Sequence, residues 1–397
     1  MNSKYVTFIQ HNTKIDVVKK SMLLILLLPF FCTACSLFGG NTTKPIQSKH
    51  GRSTLTSTPS AILLGEQTCP DTVKDSSTWK NVVPLSSGQS VERVICGDLL
   101  GIPALQAAVL VRHTGSDSIL DIFVYSNIMT AHPTAIFSLK SLLHGDAKIS
   151  GYNTLLTTQV DPNSLYNKGQ TNQWTADLSR EYKWSDTAGA FVQVAFVGIF
   201  PDLTRYQAEF EQSEVNNGQG FQQWRLSAIT TTQRFCETLL KWPSDTPVAV
   251  MSGGGVHDIH AVVQVKQASS SPITIKLDRL ERNANGGLWE IIDVQTDKLT
   301  LAVPQNEQTL TSPVTVAGHG GGGGTVGTIS VLDHLYSMSG QREAWTASNT
   351  GTIKFSKLVP YTLSFQGGTQ EGVIALTVSS PSDHTVGMVL VKVLLTQ

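Results

Sequence analysis

Residues 372–380 read GVIALTVSS and residues 387–395 read GMVLVKVLL. Each is a short apolar run rich in β-branched residues, and Pro381, Ser382 and Asp383 lie between them. This pattern predicts two strands joined by a turn. Upstream, SPVTVAG (312–318), VGTISVLD (326–333) and GTIKFSK (351–357) repeat the pattern with almost no helical periodicity. Five short strands within about ninety residues predict an all-β sandwich over 304–397.

The pattern changes further back. AAVLVRH (107–113) and ILDIFVYSNI (119–128) form a strand pair around the turn residues Thr114, Gly115, Ser116 and Asp117. FVQVAFVGIF (191–200) is a third strong β run, ended by Pro201. Asp202 is then a natural N-cap for a helix over about 203–215, which Asn216, Asn217 and Gly218 stop. A second helix spans about 226–240, with Leu226, Ile229, Phe235 and Leu239 among its apolar positions, and Trp242-Pro243 closes it. VHDIHAVVQVK (256–266) and ITIKLDRLER (273–282) alternate apolar with polar, and Asn283–Gly287 turns the chain into LWEIIDV (288–294). Helices followed by an antiparallel meander predict an α+β region over 61–300, with room for a subdivision near 201–225.

Only 15% of the 397 residues are charged and 40% are hydrophobic, a balance that suits an exported β-rich protein. The net charge is −1, and the first 34 residues hold four lysines against one aspartate, which leaves the remainder at −4. Such a chain is poorly suited to phosphate-backbone binding, so no nucleic-acid partner is expected.

The N-terminus carries an address. KIDVVKK (14–20) precedes MLLILLLPFF (22–31), a basic segment and an apolar core too short to span a membrane comfortably. Cys32-Thr33-Ala34-Cys35 follows. Two small residues before a cysteine resemble the lipobox of bacterial lipoproteins, in which the cysteine takes a diacylglycerol and becomes the new N-terminus. The resemblance implies a signal peptide over 1–34, lipid attachment at Cys35, and a chain held at the extracytoplasmic face of the membrane. Cys32 departs from the usual leucine. Residues 36–60, rich in Gly, Thr, Ser and Pro, read as a flexible tether, which gives a segment 35–60 between anchor and fold.

The C-terminal motifs PQNEQTLTSPVTVAGHG, TISVLD, EGVIALTVSSPSD and VLVKVLL, taken in order and spacing, resemble the immunoglobulin-like domain of bacterial spore-germination proteins. The resemblance covers about a quarter of the chain. It implies a sandwich fold, a surface setting and an accessory role in sporulation or germination. Gly318-His319 and the run Gly320–Gly324 stand where such domains carry an aromatic-acidic loop, which puts that loop's recognition role in doubt here.

Candidate chemistry is sparse. Cys69 and Cys96 could form a disulfide in an oxidising compartment or stay as separate buried thiols, and Cys236 reads as a small core residue. The glycine run lacks the Gly-Lys-Ser/Thr of a phosphate loop and reads as a flexible loop. Of His257, Asp258 and His260, only the last two share a strand face, too few for a metal. Asp161, Asn163 and Asn167 read as an Asx-type loop rather than a calcium loop. Asp177, Glu181 and Asp186 around Tyr182 and Trp184 mix carboxylates with aromatics as sugar sites do, but DLSREYKW is equally a short helix with a solvated acidic face. Glu209, Glu211 and Glu214 read as a solvated helix face. No catalytic residue, metal or cofactor is expected. The sequence reading is a membrane-anchored envelope lipoprotein with a binding or structural role and a cell-envelope protein or polymer as partner. The alternative is an envelope hydrolase acting on cell-wall material, its site assembled within 61–300.

Overall fold

The computed structural model describes residues 64–397 except 116–117, 170–172, 221, 268–270, 282–285, 322–325, 347–352, 365–367, 380–384 and 397. The leader, Cys35 and the tether lie outside the described residues, as do Ser116, Asp117, Asn283–Asn285 and Gly322–Gly324.

The fold is mostly β, and its main sheets are antiparallel. The first has five strands in chain order: Glu66–Gln67, Gln89–Gly97, Gln106–His113, Ile119–Ser126 and Thr134–Leu143. The second is a four-stranded meander of Asp146–Ile149, Leu155–Gln159, Leu178–Ser185 and Ala190–Val194. Side chains alternate across a strand, so one run can serve two cores. In Gln106–His113, Ala108 and Leu110 face the second sheet's Leu155, Tyr182 and Phe191. Ala107, Val109 and Val111 face the opposite way, onto Val73, Trp79 and Val83 of the N-terminal cover. Burial on both faces is why AAVLVRH shows no clean alternation. DLSREYKW forms the strand Leu178–Ser185 rather than a helix, because partners on both sides complete its ladder.

The third sheet has nine strands. Its path runs Val248–Gly253, His260–Val265, Ile273–Asp278, Glu290–Thr296, Thr385–Thr396, Thr369–Ser379, Val326–Asp333 and Glu343–Thr346, with Thr309–Thr311 parallel to the end of Thr385–Thr396. Strands from both sides of 300–304 are thus hydrogen-bonded into one sheet. The junction is narrow: Val294 is opposite Leu390, and the Thr296 hydroxyl accepts from the Met388 N–H at 2.9 Å and donates to its carbonyl at 3.1 Å. A smaller sheet of Leu299–Val303, Val314–Gly320 and Ile353–Val359 covers one face. Ile374, Leu376, Val378, Val389, Val393 and Leu395 pack toward it with Val314, Val316 and Val359. Val373, Ala375, Met388 and Leu390 face the other core, with Phe235, Cys236 and Leu240. The two central strands are thus sandwiched on both sides, which accounts for their nearly unbroken apolar character.

The helix Arg205–Asn216 packs on the second sheet and the helix Ala228–Phe235 on the nine-stranded sheet, the latter continuing as a wider turn over Cys236–Leu240. Thr204, not Asp202, precedes the first helix, and Gln207 Oε1 reaches back to accept the Thr204 N–H at 2.9 Å. Asp202 is instead drawn inward, and burial raises its carboxyl to about 6. The run FVQVAFVGIF is regular only to Val194. Beyond it the chain crosses to the nine-stranded sheet, where Phe200 bridges Ile291. Among the described residues no helix is long and apolar enough to cross a membrane.

Candidate binding groove on the helix 205–216

The helix Arg205–Asn216 is two-sided. Positions three and four apart share a face, so Tyr206, Gln207, Phe210, Glu211 and Glu214 point outward. Ala208 and Gln212 are buried on the inner face. The outer face borders two cavities that meet at Gln207 and Phe210. One, of about 330 Å³, is lined by His144, Asp146, Thr158, Ser179, Tyr206 and Phe210 among others. The second, of about 240 Å³, is lined by Phe210, Glu211, Val215, Gly220 and Leu288 among others. Phe210, 57% exposed, stands between them as the shared wall of a two-part groove.

The aromatic groups are held by specific contacts. The Tyr206 hydroxyl donates to Asp146 Oδ2 at 3.2 Å, and the Lys148 ammonium sits 4.5 Å from its ring centre. Burial and the Asp146 carboxylate push the Tyr206 phenol up to about 12, so it stays a donor at neutral pH. His144 meets Trp174 edge to face at 5.3 Å. Charged groups around the groove are largely paired. Arg93 contacts Asp146 at 2.5 Å, Lys148 contacts Glu209 at 3.6 Å, and Glu211 pairs with Arg225.

The inner face explains the helix's fixed position. Arg205 lies 2.8 Å from Glu181 and stacks over the Tyr152 ring at 3.9 Å. Gln212 Oε1 accepts the Leu288 N–H at 2.9 Å. The expectation of a solvated acidic face at Glu209, Glu211 and Glu214 is corrected: the Glu209 and Glu211 side chains are 16% and 24% exposed because each is turned onto a cation.

The other sequence candidates fall elsewhere. Cys69 and Cys96, 27 residues apart, are disulfide-bonded with Cα atoms at 5.2 Å, beneath the N-terminal cover. Cys236 is buried, and burial pushes its thiol up to about 12. Asp161 Oδ1 accepts the Asn163 N–H at 3.0 Å, an Asx turn, while Asn167 ties Asp161 to Asp177. Asp177, Glu181 and Asp186 are not brought together; they bind Asn167, Arg205 and Trp184 respectively. Asp258 caps the Gly255 N–H at 2.8 Å, whereas His260 pairs with Asp278 at 2.8 Å. Trp242, Trp289 and Trp345 are core residues. Among the described residues no group of three or more His, Cys, Asp or Glu side chains is arranged to hold a metal.

Sequence reasoning missed Tyr206, Phe210 and Arg225. The first two carry a usable signal, an aromatic pair at i and i+4 on a helix whose other face holds Arg205 and Glu209. Arg225 carries none, since its partners Glu211 and Glu290 are distant in sequence. No family model matches this chain, and comparison with curated proteins finds no match.

Proposed function

We propose that this chain is an extracytoplasmic lipoprotein, held at the membrane by a diacylglycerol on Cys35, that binds a cell-envelope glycan in the groove over Tyr206 and Phe210. In this reading residues 61–300 form an α+β binding region. Residues 304–397 are an immunoglobulin-like sandwich that serves as a spacer, with a role in sporulation or germination. The carrying observation is the exposed Phe210 between two cavities, flanked by Tyr206 and His144. Aromatic rings offer large rigid faces with a polar tip, as Tyr206 does here. The apolar C–H face of a pyranose matches such a surface. Two of the groove acids, Asp146 and Glu211, are engaged with cations, which supports binding rather than acid–base catalysis. The Cys69–Cys96 bond suits an oxidising compartment.

Two measurements test the reading. Cys35→Ala should move the protein from the membrane to the soluble fraction, and unchanged membrane retention would remove the lipid anchor from the proposal. The purified protein should co-sediment with isolated peptidoglycan sacculi, and Phe210→Ala should weaken that binding about tenfold, or about 1.4 kcal/mol. Undiminished binding by the variant would dismiss the groove, no binding by the native chain would dismiss the glycan, and release of soluble sugar fragments would favour a hydrolase.

A further inference from the structure

Four carboxylates and two guanidinium groups meet where the helix Arg205–Asn216 joins the second sheet to the nine-stranded sheet. Arg205, on the helix, lies 2.8 Å from Glu181 of the second sheet and 3.7 Å from Glu281, which follows the strand Ile273–Asp278. Arg225 pairs with Glu290 at 2.7 Å and with Glu211. The side chains of Arg225, Glu290, Glu181 and Glu281 are 0%, 2%, 5% and 9% exposed. The nearby Lys148 is offset by Glu209 from the helix, and Tyr336 faces Glu290 from beyond the strand Val326–Asp333. Among the described residues the seam therefore buries a surplus of negative charge.

That surplus is localised. Among the described residues, none donates a hydrogen bond to the buried Glu281 Oε1 or Glu290 Oε2. Glu290 Oε2 is pressed against Gly198, where an added Cβ would stand 2.7 Å from it. A buried carboxylate without full pairing is costly, and a proton removes the charge while turning an orphan acceptor into a donor. We propose that Glu281 and Glu290 form a proton-operated clasp, protonated and closed in a mildly acidic medium, that gives its protons to solvent and loosens the helix from the two sheets as the medium turns neutral and then alkaline.

Electrostatics supports the geometry. Burial, then the Glu290 and Glu209 carboxyls, raise Glu281 to about 8 from its ordinary 4.5, against the pull of Arg205 and Lys148. Burial raises Glu290 to about 7 despite Arg225 and Arg205. Both folded values lie above the unfolded one. Their contribution is therefore complete in acid, below the ordinary carboxylate range, and declines as pH rises through about 7 and then about 8. The clasp stands whatever the groove binds.

The test is urea unfolding of the intact protein from about pH 5 to about pH 9, with Glu281→Gln and Glu290→Gln alongside. The native folded-to-unfolded ratio should fall with pH, by up to about tenfold per unit for each group. Each Gln variant should lose part of that dependence and exceed the native ratio at the alkaline end. A pH-independent native protein, or variants that keep the full native slope, would overturn the clasp. Should a variant fail to fold, infrared difference spectra of the native chain decide. The carbonyl band of a protonated carboxyl should be present near pH 6 and lost near pH 9, and its absence near pH 6 would overturn the proposal.

Discussion

Trp345 lies across two glycines that belong to different sheets. A Cβ on Gly327 would stand 1.9 Å from its indole, and one on Gly320 would stand 2.1 Å from it. The ring also stacks on Phe355 at 4.6 Å and is only 4% exposed. These two glycines are strand residues whose missing side chains make room for the tryptophan. Gly320 was expected in a flexible loop and instead ends the strand Val314–Gly320. A glycine run looks the same whether it bends or makes space, and only the neighbour across the sheet separates the two. Gly327→Ala should therefore destabilise the protein by about 1–3 kcal/mol, as overpacking does. Urea unfolding followed by tryptophan fluorescence measures it, and an unchanged midpoint would mean that the indole is not lodged there.

At the level of elements, the strand Thr385–Thr396 hides a charge within VLVKVLL. Lys392 contacts Glu371 of the neighbouring strand at 2.9 Å, and each side chain is 1% exposed. Both sit on the strand faces turned away from the smaller sheet, as alternation with Val393 and Ile374 requires. Removing one member of a buried pair leaves the other uncompensated, whereas replacing both with apolar residues is often tolerated. Lys392→Met should cost about 3–5 kcal/mol, and adding Glu371→Leu should recover most of it. A single variant as stable as the native chain in denaturant titration would show that the pair carries no such weight. The existence of the strand was plain from its apolar run. The pairing was not, because nothing local marks which of many acids a lone lysine will meet.

Across the whole molecule, the sequence by itself determined the strands within 107–126, 260–278, 290–294 and 314–395, the two helical segments between 203 and 240, and the stops at Gly218 and Pro243. These depend on local chemistry: side-chain periodicity, β-branching, and the backbone limits of glycine and proline. Tertiary structure alone decided that strands from both sides of 300–304 share one sheet, joined through Val294, Thr296, Met388 and Leu390. It also decided that Leu178–Ser185 is a strand, and that Glu181, Glu281 and Glu290 converge with Arg205 and Arg225 beneath the groove. The reason is physical. A sheet's order and a buried charge's partner are set by contacts between residues distant along the chain, and each residue's own neighbourhood is compatible with several of them.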